Sequence, residues 1–333
     1  MQNKAVLIGF DIGGTKVAVS LGDFTGKIYG GARIENNDSY PEEVIPQMIS
    51  EAKRLVSEHG FTMADVAAAG ISSPGSADYR NGIMTHPTNN KYWRNVPIRQ
   101  LIADGLGCPA YFENDANCAM LAEWFFGAAK GAQDAIYLTM STGIGAGIIA
   151  AGHLVCGKSG QTGEVGHMVL VPGGLQCNCG LRGCYETYCA GKGLAQRMAA
   201  ELADKPDSML MQLADGDASK LDMHLLEKAV RAGDPYAVNL WDETSRLHAQ
   251  AIGILINSLN PEKIVLGTFA WAIGDLFMDP ILKYLPEFAW KELMEVCEIV
   301  PGKLQREIGN YAGIAAALNG LYEAGKFSFD QLK

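Results

Sequence analysis

Short apolar runs that end in polar, glycine-rich turns recur along the first half of the chain. Ala5 to Phe10 has the length of a buried strand and ends at Asp11-Ile12-Gly13-Gly14-Thr15-Lys16. Val17 to Leu21 alternates and predicts its antiparallel partner, and Lys27 to Glu35 predicts a third strand. Pro41 to His59 carries Val44, Met48, Ala52, Leu55 and Val56 at helical spacing, with proline in the first turn and Gly60 as the stop. Val66 to Ile71 predicts a small-residue strand leading into Ser72-Ser73-Pro74-Gly75-Ser76. Pro109 to Phe112 predicts another, followed by Glu113-Asn114-Asp115-Ala116-Asn117 and a helix with Ala119, Met120, Trp124 and Phe125 near one face. Ala135 to Met140 repeats the opening pattern of strand and glycine turn, with Ile148 to Ala151 as the return strand.

The second half reads as more helical. Lys192 to Leu202 predicts a helix, 204–222 a loop with a short helix, and Asp234-Pro235 the start of a long helix that Pro261 terminates. Lys263 to Leu266 and Met294 to Val300 predict strands, and Asn310 to Ala324 a small-residue helix suited to close packing. The alternation of strands and helices gives an α/β fold class.

Length and composition narrow the picture. A chain of 333 residues accommodates two domains, each with its own core. A net charge of -10 with no basic run argues against a nucleic-acid partner. No apolar stretch approaches twenty residues and no signal-peptide pattern opens the chain, so the expectation is a cytoplasmic protein with no membrane partner. Eight cysteines without an export signal fit a reducing compartment.

Those cysteines supply the first candidate chemistry. Cys177, Cys179 and Cys184 follow His167 closely, and three thiolates with one imidazole complete a tetrahedral zinc set with no open position. Such a zinc would be structural; the alternative is free buried thiols or disulfides, although Cys177 and Cys179 are too close to pair comfortably with each other. The glycines between the ligands let the backbone turn tightly enough for the four to converge, and Glu164 and Glu186 flank them. The two glycine turns supply the second. At the first, backbone amides can face an anion, Asp11 can hold magnesium through water and Thr15 can donate to a phosphate; a plain hairpin has the same spacing. At the second, the same two readings apply to Thr142 and Gly143, and a dinucleotide site is disfavoured because a strand follows the glycines. Asp115 at a strand-to-helix junction is either an N-cap or a functional carboxylate.

Gly163-Glu164-x-Gly166-His167 followed by Cys177-x-Cys179-Gly180-x-x-Gly183-Cys184-x-Glu186 resembles the signature of the ROK family (repressors, open reading frames, kinases). Asp11 to Lys16 resembles the phosphate turn of the sugar kinase, Hsp70 and actin superfamily, and Asn114-Asp115-x-Asn117 the family's catalytic segment. The resemblance implies a two-domain actin-like ATPase (ribonuclease H-like) fold with a cleft between domains. The small domain would comprise 1–118 with about 311–333, and the large one 119–310. It implies a kinase that transfers a phosphoryl group from ATP, with magnesium, to a hexose, with C6 of glucose as the expected acceptor. An N-acetylhexosamine or fructose is the alternative acceptor. Asp115 would be the general base. Asn89, Asn114, Glu164, His167, Glu186 and Gly75 would contact sugar. Asp11, Gly13, Gly14, Thr15, Lys16, Thr142, Gly143 and Gly267 would contact ATP. His167, Cys177, Cys179 and Cys184 would hold zinc. The family suggests a homodimer. Two departures stand out: Thr88 and Tyr92 replace a proline and a glycine around Asn89, and Gly267-Thr268-Phe269 replaces a run of glycines. The alternative from another class is a sugar-responsive regulator. With Asp11 ten residues from the start, the expectation is a chain without a DNA-binding domain before the phosphate turn.

Overall fold

A computed structural model describes residues 6–87 and 91–329. The elements in order are β1 (Val6–Ile12), β2 (Lys16–Gly22), β3 (Ile28–Glu35), α1 (Pro41–Glu58), β4 (Val66–Ser73), β5 (Ser76–Asp78), β6 (Ile83–His86), α2 (Ile98–Leu106), β7 (Ala110–Asn114) and α3 (Asp115–Phe126). There follow β8 (Ala135–Met140), β9 (Ile144–Ala150), β10 (His153–Leu154), α4 (Tyr185–Cys189), α5 (Gly191–Glu201), α6 (Met209–Leu213), α7 (Met223–Arg231) and α8 (Pro235–Leu259). The chain closes with β11 (Lys263–Leu266), α9 (Thr268–Ile273), α10 (Asp275–Tyr284), α11 (Lys291–Met294), β12 (Glu298–Pro301) and α12 (Ile308–Glu323). Two five-stranded sheets run β3-β2-β1-β4-β7 and β10-β9-β8-β11-β12.

The chain divides into two compact units. One comprises Met1–Gln133, Gly147–Thr162 and Lys303–Lys333, the other Asp134–Ala146 and Gly163–Gly302. In the first, β1 pairs antiparallel with β2 and parallel with β4, and β4 pairs parallel with β7. Its core joins Ile8, Phe10 and Ile71 of the sheet to Val44, Met48 and Leu55 of α1 and to Ile98 and Ile102 of α2. Each such side chain, fully buried, contributes about 1.5–3 kcal/mol. In the second unit, α8 buries Leu240, Trp241, Ile252 and Ile256, which explains a helix of 25 residues. Among the described residues no helix is long and apolar enough to cross a membrane.

The structure corrects three element boundaries. The return strand after the second glycine turn begins at Ile144, not Ile148, because the Ile144 N–H is held by the Glu186 carboxylate (2.9 Å) at the turn itself. The strand expected over Met294 to Val300 is β12, with one helical turn before it; its parallel partner β11 is four residues long and their register runs from Lys263–Glu298 to Leu266–Pro301. Gly267 leads into helix α9 at once, with Thr268 as its first residue.

Helix α12 lies on the first sheet at a spacing only small residues allow. A Cβ built on Gly70 of β4 would sit 2.0 Å from the Gly313 carbonyl oxygen and 2.3 Å from the Ala317 nitrogen. Both are backbone atoms of α12 and cannot rotate away. Gly70→Ala is therefore expected to destabilise the protein by about 1–3 kcal/mol, the usual range for overpacking, measured by urea unfolding. A loss below a few tenths of a kcal/mol would show that α12 can lift from the sheet at no cost.

Candidate active site

The parallel strands of the first unit end together. Asp11 is in register with Ser72, Ser72 with Glu113, and Ser73 with Asn114. Ligand sites in α/β sheets collect at such carboxyl ends. Ser72 Oγ donates to Asp11 Oδ1 at 2.8 Å, and Asp11 Oδ2 lies beside Gly309. Burial pushes the Asp11 carboxyl up to about 6; the Ser72 hydrogen bond opposes the shift and the Asp115 charge adds to it. The turn after β1 is closed by Gly13 N–H on Lys16 O (2.9 Å). The buried Asn36 fastens it from β3's end: its Nδ2 donates to Gly13 O (2.8 Å) and its backbone N–H to Thr15 O (2.9 Å). Asp11, Gly13, Thr15 and Lys16 line a pocket of about 190 Å³ with Arg33 and Arg306. A glycine turn with three cationic side chains around it suits an anion, and one buried carboxylate beside it suits a divalent cation.

The next strand end shows which residue caps the helix that follows. Asn114, not Asp115, caps α3: its Oδ1 accepts from Ala116 N–H at 2.8 Å. Asp115 is the first helical residue, exposed, with its Oδ1 2.9 Å from the same amide. The segment is held from below by Glu113, whose Oε1 accepts from Asn114 N–H and Asn117 Nδ2, both at 2.9 Å. Burial raises the Glu113 carboxyl above its usual range. Gly75 takes φ +93°, a conformation glycine adopts readily, in the turn after β4. Asn89 lies outside the described residues. Trp93, four residues on, is buried and donates its indole N–H to Ser39 O (3.1 Å).

In the second unit the four predicted metal ligands converge. The ligand atoms of His167, Cys177, Cys179 and Cys184 all lie within 4.8 Å of one another. Cys179 Sγ and Cys184 Sγ are 3.6 Å apart, and Cys177 Sγ is 3.8 Å from His167 Nδ1. With metal–ligand bonds of about 2.1–2.3 Å, the edges of a zinc tetrahedron are about 3.6–3.8 Å, which these two separations match, and the donor set is one that zinc takes. His167 turns Nδ1 toward the thiols, which leaves Nε2 3.9 Å from Glu164 Oε2. Glu186 has a partner the sequence did not reveal. Its Oε2 accepts from Ile144 N–H, and a Cβ on Gly143 would lie 2.7 Å from that oxygen. The cysteine-rich segment is thereby tied to the second glycine turn.

Helix α5 closes that turn from the other side: Gly191 N–H donates to Ser141 O (2.8 Å) and Lys192 N–H to Thr142 O (3.3 Å). A second pocket, of about 500 Å³, opens there, with Thr142, Lys192, Asp222, His224 and Phe269 in its lining. Gly267 gives its N–H to Leu138 O (2.8 Å), and it is the neighbouring Phe269 that lines the pocket. Lys192, Asp222 and His224 were not found from the sequence. Asp222 carried a usable signal as an N-cap before Met223–Arg231, and its carboxylate does accept from Leu225 N–H at 2.8 Å.

Comparison with known proteins adds a family match and three relatives. A model of the ROK family matches residues 7–318. A glucokinase of Thermotoga maritima is 32% identical over 306 residues, which cover 92% of this chain and 95% of the relative. Among solved structures, a ROK hexokinase from Thermus thermophilus has a TM-score of 0.80 at 29% identity, covering 96% of this chain and 99% of the other. A ROK family glucokinase from Streptomyces griseus, in complex with glucose and AMPPNP, has 0.73 at 31%, covering 94% and 98%.

The raised Asp11 carboxyl has a consequence for stability. Its value in the unfolded chain is near 3.8 and in the folded one about 6. Between those values the folded state binds more protons, so stability falls as pH rises through the window and levels off above it. Asp11→Asn is expected to flatten that slope and to make the ligand-free protein more stable than the parent at pH 7.5, by on the order of 1–3 kcal/mol. Thermal unfolding across pH 4–8, without nucleotide or magnesium, measures both. A variant that keeps the parent's slope would remove Asp11 as its source.

Proposed function

The chain belongs to the ROK family and is an ATP-dependent sugar kinase of the two-domain actin-like ATPase type, and we propose that its acceptor is the C6 hydroxyl of glucose, with Asp115 as the general base. The acceptor O–H proton passes to the Asp115 carboxylate as the hydroxyl oxygen bonds to the γ-phosphorus. The bond from that phosphorus to the β–γ bridging oxygen breaks, and ADP leaves. The transition state is loose, so positioning and charge neutralisation carry most of the catalysis. The observation that carries the assignment is at the start of α3, where Asn114 is the N-cap and the Asp115 carboxylate is exposed in the first turn beside it.

In the first unit, Gly13, Gly14, Thr15 and Lys16 are assigned to phosphate, and Asn114 and Gly75 to sugar. Asn89 is assigned to sugar from its sequence alone. Magnesium, bound with the nucleotide, would be held at Asp11 and would offset phosphate charge. In the second unit, Thr142, Gly143 and Gly267 are assigned to ATP, with Lys192, His224 and Phe269 added for the nucleoside. Glu164, His167 and Glu186 are assigned to sugar hydroxyls. Zinc at His167, Cys177, Cys179 and Cys184 would hold the loops carrying Glu164 and Glu186 in place. A homodimer is part of the same proposal.

Asp115→Asn removes the base and keeps the shape. Turnover is expected to fall about a hundredfold to ten-thousandfold, the usual share of general-base catalysis, while glucose binding by calorimetry survives. Unfolding should shift by less than about 1 kcal/mol, the value of a first-turn carboxylate at a helix N-terminus. Near-normal turnover would exclude Asp115 as the base.

The metal assignment has its own check. Protein purified without added metal should contain about one zinc per chain, the content of a single closed site. Cys179→Ser should lower zinc content, stability and sugar affinity together. Fully active protein free of zinc would exclude the assignment.

A further inference from the structure

Tyr79 lies outside every motif in the sequence, yet its hydroxyl joins two segments assigned to sugar. It donates to Gly75 O at 2.9 Å, with Ser73 O at 3.3 Å as the next acceptor, and it accepts from Asn114 Nδ2 at 3.4 Å. The ring is buried and lies 4.9 Å from Phe112, two residues before Asn114 on β7.

The donor and acceptor count gives this contact a chemical meaning. A phenol has one proton, and here a backbone carbonyl takes it, so the oxygen can only accept from Asn114. Asn114 Oδ1 is already committed to the Ala116 amide. The helix amide therefore fixes which end of the Asn114 side chain is oxygen, and the Tyr79 oxygen fixes which end is nitrogen. One Nδ2–H points at the phenol, and the other remains for a ligand. Asn114 is thus presented as a donor, suited to the lone pair of a sugar hydroxyl. Burial, with the charges of Asp115 and Glu113 behind it, raises the Tyr79 phenol well above its ordinary value, so its polarity does not change with pH.

We propose that Tyr79 is a positioning residue for the sugar: through one hydroxyl it sets the orientation of the Asn114 amide and its alignment with the Gly75 turn. This inference rests on the assignment of Asn114 to sugar made above. Tyr79 itself touches no reacting atom.

Tyr79→Phe removes the hydroxyl and leaves the ring on Phe112. The KM for sugar is expected to rise about tenfold, the worth of one to two lost hydrogen bonds, with calorimetric sugar affinity falling in step. The KM for ATP should change less than about twofold, and the unfolding midpoint should shift little, because buried shape is conserved. Because Tyr79 acts through Asn114, the double variant Tyr79→Phe with Asn114→Ala should bind sugar no worse than Asn114→Ala alone. An additive double variant overturns the proposal. So does an unchanged sugar KM in Tyr79→Phe while Asn114→Ala raises it, and that result leaves the Asn114 assignment standing. If Asn114→Ala itself leaves the sugar KM unchanged, the assignment fails and the proposal with it. If Tyr79→Phe proves unstable, Tyr79→Leu replaces it: it also removes the hydroxyl and should raise the sugar KM while the KM for ATP holds, and an unchanged sugar KM would overturn the proposal.

Discussion

Everything in the first unit depends on three parallel strands ending at one level. The register that sets Asp11 beside Ser72, Ser72 beside Glu113 and Ser73 beside Asn114 fixes where these side chains leave the sheet. A slip of one residue would send each side chain to the opposite face. That register is enforced by packing more than by the strands themselves. Gly9 and Gly70 let α12 settle against the sheet backbone, and Gly313 admits the strands from the helix side. Above this base the polar groups are fastened to one another: Ser72 to Asp11, Asn36 to Gly13 and Thr15, Glu113 to Asn114 and Asn117. A turn held this way meets a phosphate or hydroxyl with little entropy left to lose, which is the physical content of preorganisation.

The second unit reaches a similar end by other means. Its glycine turn has no Asn36. Instead it is gripped between the first amides of α5, which reach Ser141 and Thr142, and Glu186, which reaches Ile144. Glu186 lies two residues beyond Cys184, so the four converging ligands also govern the carboxylate that holds the turn. A metal here would serve as a fastener for two functions at once. It would stiffen the loop carrying Glu164, and it would keep Glu186 at the amide it must satisfy.

Much of this was legible in the sequence, for reasons that differ from residue to residue. His167 and the three cysteines are close in sequence and chemically singular, so ligand arithmetic sufficed. Asp11 and Thr142 follow apolar strands and precede glycines, a local pattern. The family, the two-domain actin-like ATPase fold and the kinase activity came from the resemblance those motifs carried, and the comparisons bear them out. Three kinds of feature were not legible. Tyr79 is an aromatic among turn residues, and its value lies in meeting Asn114 across 35 positions. Glu186 reaches Ile144 across 42. Lys192 and His224 enter their pocket from helix starts whose placement only tertiary packing decides. At the start of α3 only Asp115 was weighed as a cap; that Asn114 is the cap depends on a side-chain rotamer that spacing does not encode.

The central claim is that this chain moves a phosphoryl group from ATP to a sugar hydroxyl, and a coupled ADP-release assay over a panel of sugars tests it most directly. The panel should hold glucose, mannose, fructose, xylose, N-acetylglucosamine and N-acetylmannosamine, with phosphorus NMR of each product. The account predicts ADP release that depends on added sugar, the highest kcat/KM with glucose, and a phosphate monoester at C6. A higher kcat/KM with an N-acetylhexosamine would move the acceptor and keep the chemistry. ADP release that no sugar on the panel stimulates, from folded protein with magnesium present, would contradict the account.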